Sequence, residues 1–164
     1  MMKFSMLKYS YLIYFLNIIF VVLSYFVGIK EYAFFLFLAV FASFFAMIIW
    51  ERKEKIAYEE LWRNCTKWSK AIAFVSFAYG FINFFLCIYF LREGGPYVDQ
   101  GVYCIWNHGF IREITKEEYE RLLLVEGRMI TGHMLIFSAF PMLFFSARHK
   151  IRTHEQMKSA QEFL

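Results

Sequence analysis

"YSYLIYFLNIIFVVLSYFVGI", residues 9–29, runs for 21 positions without an Asp, Glu, Lys or Arg. A helix rises about 1.5 Å per residue and the hydrocarbon core of a bilayer is ~30 Å thick, so roughly 20 such residues cross it. Residues 32–50, 71–91 and 129–147 are uncharged blocks of the same kind, 19, 21 and 19 residues long with His133 taken as neutral. No amphipathic remainder exists to wrap four such blocks into a water-soluble core. Of the 164 residues, 60% are hydrophobic and 23% aromatic, against roughly 45–50% apolar in soluble domains. The expected fold is therefore an all-α integral membrane protein, a bundle of four transmembrane helices forming a single domain over residues 1–164.

"MMKFSMLK" before the first block resembles the start of a signal peptide. The block is long for such a peptide, however, and no small-residue cleavage site follows it, so a retained helix is expected.

Lys and Arg set the orientation. With the N-terminus inside, the inner segments hold Lys3, Lys8, Arg52, Lys53, Lys55, Arg63, Lys67, Lys70, Arg148, Lys150, Arg152 and Lys158. The outer segments hold Lys30, Arg92, Arg112, Lys116, Arg121 and Arg128. Twelve against six places both termini in the cytoplasm. The net charge of +4 then reflects topology and contact with anionic lipid, not nucleic acid. Abundant Phe, Ile, Lys, Tyr and Asn point to a bacterial source, hence to the cytoplasmic (inner) membrane.

The connections differ in kind. The first two helices are expected to meet at little more than Lys30-Glu31, with Gly28 ending the first. Residues 51–70 carry Tyr58, Leu61, Trp62, Cys65 and Trp68 at helical spacing. They read as an amphipathic helix on the inner surface that runs into the third membrane helix. Trp50, Trp62 and Trp68 suit the headgroup level.

Residues 92–128 form the outer cap. Gly94, Gly95 and Pro96 break the third helix. "VYCIW" (102–106) and "FIREI" (110–114) alternate around "NHG" (107–109), the pattern of a β-hairpin with positive φ at Asn107 or Gly109. Thr115 with Glu118 has capping-box spacing, with Ile114 and Tyr119 at the staple positions. The helix begun there runs into the bilayer to about Arg148, kinked by Pro141, and residues 148–164 are a cytoplasmic tail.

Several chemistries are excluded. The membrane helices hold no Asp, Glu, Lys or Arg in their interiors, unlike coupled transporters. Asn17 and Asn83 are read as helix-to-helix hydrogen bonders. His133 has no second membrane histidine to complete a bis-histidine haem. Cys65, Cys87 and Cys104 form neither a C-x-x-C nor a disulfide framework. Arg128 and His133 have the R-x-x-x-x-H spacing of certain RNases, but five residues put them about 140° apart around a helix.

The candidate binding residues are Trp106, Asn107, His108, Arg112, Tyr119, Glu126, Arg128 and His133. Glu126 and His133 are two turns apart and share a helix face. With His108 folded back from the hairpin tip they would make a cluster able to bind a metal such as Zn²⁺ or to move protons. The expected reading has no catalytic residue, no cofactor and no metal.

"NHG" (107–109), "EITKEEY" (113–119) and "EGRMITGHM" (126–134) together resemble a signature of small bacterial inner-membrane proteins of unassigned function, over residues 103–137. The resemblance implies no activity. The order of helices and loops is similar to that of tetraspanins, but the C-C-G and the outer cysteine pairs are missing, so nothing carries over.

The leading expectation is a non-enzymatic membrane protein that holds a membrane or periplasmic protein, or a second copy of itself, through the outer cap. An immunity protein against a toxin and an accessory subunit are two forms of it. The alternatives are a homo-oligomeric pore that depolarises a membrane and a membrane-interface enzyme or metal site using His108, Glu126 and His133.

Overall fold

A computed structural model describes residues 3–162, apart from the side chains of residues 3–5, 30, 31 and 162. The side chains of Lys3 and Lys30, used above for orientation, lie outside the described ones. Five helices and three strands follow one another as α1 (Lys3–Leu23), α2 (Lys30–Glu54), α3 (Tyr58–Asn64), α4 (Lys67–Phe90), β1 (Gly95–Asp99), β2 (Val102–Asn107), β3 (Phe110–Glu113) and α5 (Lys116–Glu162). Among the described residues α1, α2, α4 and α5 are long and apolar enough to cross a membrane.

α5 is the axis. α1, α2 and α4 all pack on it, as do α3 and the first two strands, whereas among the described residues the backbones of α2 and α4 do not come close to each other. The reason lies in small side chains. Gly80 of α4 sits where a Cβ would come within 2.9 Å of the Gly132 carbonyl oxygen. Gly132 faces Asn83, whose amide nitrogen would lie 2.6 Å from a Cβ there. Close backbone approach of this kind holds apolar helices together when burial from water cannot.

A polar seam follows the contact of α1 and α4 with α5. Tyr14 and Ser76 hydroxyls are 2.6 Å apart, Asn17 Nδ2 donates to Ser138 Oγ at 3.1 Å, and Asn83 Nδ2 donates to the Arg128 carbonyl at 2.8 Å. Both asparagines are therefore helix-to-helix hydrogen bonders. Asn17 is fully buried, and its Oδ1 has no partner among the described residues.

Four boundaries differ from those read in the sequence. α1 ends at Leu23, and residues 24–29 form the joint. There the chain tightens into i→i+3 bonds, from Tyr25 N to the Val22 carbonyl at 3.2 Å and from Phe26 N to the Leu23 carbonyl at 2.9 Å, and the Ser24 hydroxyl donates to the Val21 carbonyl at 2.7 Å. The connector is not one helix running on. Cys65 and Thr66 are extended, and Thr66 caps α4 by accepting from Ser69 N at 3.1 Å. The cap is not a lone hairpin, since residues 95–99 form a third strand. Finally, α5 continues past Arg148 through the tail to Glu162, 47 residues and about 70 Å of helix. Pro141 lies inside it, wholly buried.

Candidate functional site

The cap is an antiparallel meander, β1-β2-β3. Two-residue turns make it. Asp99 pairs with Val102 across Gln100-Gly101, and Asn107 pairs with Phe110 across His108-Gly109. All four turn residues have positive φ (48°, 87°, 47° and 95°), the type I′ geometry whose twist matches the strands. Positive φ thus falls on His108 and not on Asn107. Gly94 turns the chain into β1 at φ 120°, where a Cβ would meet the Trp106 carbonyl oxygen at 2.2 Å. The breaker Gly-Gly-Pro is therefore the entry to an edge strand, the one place in a sheet that tolerates Pro96.

Register sorts the side chains. Ile105, Tyr103 and Arg112 lie on the face toward α5: Tyr103 packs its ring 4.8 Å from that of Tyr119. Arg112 donates to Glu118 at 3.0 Å and to Glu93 at 2.9 Å, tying β3 to α5 and to the segment after α4. Thr115 caps α5 by accepting from Glu118 N at 3.2 Å. The capping box is not closed in return, because the Glu118 carboxylate is held by Arg112. Arg112 and Tyr119 are thus the footing of the sheet.

The opposite face carries Val102, Trp106 and Ile111, all exposed, with the buried Cys104 between Val102 and Trp106. Trp106 pairs with Ile111 on one side and with Gly95 on the other, and glycine leaves the indole uncovered. Trp106 is 54% exposed and Phe110, at the tip, 82%. Asn107 is half-buried and His108 exposed, its ring 6.4 Å from that of Trp106.

Cys104 sits in the middle of β2, 3% exposed, between Tyr97 and Glu113 on the neighbouring strands. Loss of water, then the nearby carboxylates of Glu113 and Asp99, push its thiol up from the usual range. The thiolate is the reactive form, so Cys104 is expected to alkylate at least roughly tenfold more slowly than a cysteine placed at Val102. A maleimide time course on the two forms checks this, and equal rates would contradict the burial.

The residues below the sheet are dispersed. Glu126 lies under β1, its Oε1 3.2 Å from where a Gly95 Cβ would be. Arg128 stacks its guanidinium 5.1 Å from the Tyr25 ring and donates from Nε to the Leu124 carbonyl at 3.3 Å. His133 donates from Nδ1 to the Met129 carbonyl at 2.7 Å, which leaves Nε2 as its acceptor. Its ring meets Phe84 edge-on at 5.1 Å and lines an apolar cavity of about 510 Å³ with Phe34, Phe37 and Ile130. Among the described residues no three His, Cys, Asp or Glu side chains converge as metal ligands would. The proposed gathering of His108, Glu126 and His133 is not formed, because the turn that carries His108 points its tip into solvent while the other two are fixed along α5.

Two features had no sequence signal. The first is an apolar cavity of about 540 Å³ between α2, α3 and α5, lined by Phe44, Met47, Leu61, Trp62 and Phe140, with the Tyr58 hydroxyl donating to Glu51 at its edge. The second is an ion cluster at the same end. Arg148 and Arg152 of α5 both donate to the Glu54 carboxylate of α2, with Trp50 stacked 4.1 Å from the Arg148 guanidinium. Their partners are 94 and 98 positions apart in sequence, out of reach of any local pattern.

Fold and site together define a mostly helical protein with four helices of membrane-spanning length and a small three-stranded sheet set on the central one. No family model, curated protein or solved structure matches the chain.

Proposed function

We propose that the chain is a small multi-pass protein of a bacterial cytoplasmic membrane, both termini inside, that acts without catalysis by holding a protein partner on its outer cap. An immunity-type protein or an accessory subunit would work in this way. One observation carries the reading: a sheet clamped to α5 through Arg112 and Tyr103 leaves Trp106 and its cross-strand neighbour Ile111 exposed on the face away from α5, with Phe110 exposed at the tip. Contiguous exposed aromatic and aliphatic groups with a polar rim are the usual anchors of protein interfaces. The excess of Lys and Arg on the connector and tail supports the orientation.

Trp106→Ser with Ile111→Ser tests it. Two interface anchors removed together are expected to weaken partner capture roughly 100-fold while leaving membrane insertion and thermal stability near those of the parent. A photoreactive residue at Trp106 should join the chain to one discrete protein in native cells. Capture unchanged by the double substitution would overturn the proposal.

A further inference from the structure

At the end of the bundle where α1 begins and α5 emerges there is a small polar cavity of about 170 Å³. Arg148, His149, Arg152, Thr153 and Gln156 line it from α5, and Leu7 of α1 supplies apolar wall. Arg148, Arg152 and Gln156 are four apart, as are His149 and Thr153 beside them, so one helix face builds the site and holds it rigid.

The charge there is out of balance. Arg148 is 4% exposed, and it shares the single carboxylate of Glu54 with Arg152. Trp50 stacks on both guanidiniums, at 4.1 Å and 6.0 Å, and brings no negative charge. One carboxylate neutralises one guanidinium, so among the described residues a positive charge remains on the pair, chiefly on the partly exposed Arg152. The donors are in surplus too: Arg152 Nη1 is enclosed with no acceptor among the described residues. Buried charge persists when it is paired.

We propose that this cavity is a phosphate site. A phosphate oxyanion is the group that two forked guanidiniums recognise best, because its oxygens match their planar donors. Gln156, which also lines the cavity, carries an amide that would add a donor. Thr153 does not, since its hydroxyl already donates to the His149 carbonyl at 2.9 Å. An anionic phospholipid headgroup and inorganic phosphate share this chemistry. Leu7 and Phe145 beside the cavity favour the headgroup, whose glycerol and chains need apolar contact. The proposal is independent of what the cap binds.

The full chain in neutral detergent, freed of lipid, is titrated with inorganic phosphate and followed by thermal shift. In parallel, nanodiscs of roughly 3:1 phosphatidylcholine to phosphatidylglycerol are compared with pure phosphatidylcholine by native mass spectrometry, counting retained lipid. One retained phosphatidylglycerol per chain, with no stabilisation by free phosphate, identifies the headgroup. Stabilisation by phosphate without lipid retention identifies the free ion. Arg152→Gln and, separately, Gln156→Leu are each expected to weaken whichever binding occurs about tenfold, the worth of one charge-assisted hydrogen bond. Gln156→Leu removes no charge and keeps the test valid should Arg152→Gln unfold. Lys158→Gln, on the exposed tail, should change nothing. No binding of either probe, binding indifferent to both variants, or an equal loss in Lys158→Gln would each overturn the site.

Discussion

Glu54→Ala is expected to lower the stability of the folded chain by about 3 kcal/mol, near the lower end for breaking a buried ion pair. The size follows from what is left behind. Arg148 is almost wholly enclosed, and its guanidinium would keep the Trp50 ring but lose its only carboxylate among the described residues. Removing the enclosed charge as well is a different matter. Glu54→Leu with Arg148→Met replaces that pair by apolar groups of similar volume, and part of the loss should return, since a buried pair is worth little against a hydrophobic substitute while Arg152, still without its carboxylate, is partly exposed to water. Thermal or denaturant unfolding in one detergent compares the three forms. Equal destabilisation by the single and double substitutions would show that the cluster acts through shape and not through charge.

The second large effect is at the crossing of α4 and α5. Gly80→Leu is expected to cost about 3 kcal/mol, the upper part of the usual range for overpacking. The first added carbon would already stand 2.9 Å from the Gly132 carbonyl oxygen, which belongs to backbone and cannot turn aside. The helices must then separate, and Asn83 Nδ2 loses the Arg128 carbonyl that it reaches at 2.8 Å. Gly132→Ala should be milder, because its first obstacle is the Asn83 side chain. Cysteine cross-linking between α4 and α5 would register the separation, and an unchanged yield in Gly80→Leu would refute the crossing as drawn.

These two sites show what the sequence can and cannot disclose. The four apolar helices were legible because freedom from charge over about 20 residues is a local property. The Asn-His-Gly turn and the Thr115 cap were legible for the same reason. β1 was hidden by Gly94, Gly95 and Pro96, which signal a break whether or not a strand follows. The Glu54 cluster was hidden by separation along the chain. Glu126 and His133 do share the spacing of one helix face, but their neighbours come from β1 and from α4, and helical period says nothing about either. Trp106 was picked out as part of the cap; its exposure depends on Gly95 across the sheet, a pairing that only the register reveals.

α5 also has a mechanical meaning. Its first turn carries Glu118 and Tyr119, where Arg112 and Tyr103 of the sheet are held, and Arg148 and Arg152 lie about 30 residues further along the same 47-residue helix. No loop interrupts that span, so the two ends are the arms of one lever and α1, α2 and α4 are its bearing. A sideways load on the sheet becomes a tilt of the rod and an opposite sweep of its far tip. The one soft point is Pro141, which has no N–H to return to the Phe137 carbonyl. The rod is least stiff there, in the part of its length held most deeply by the bundle.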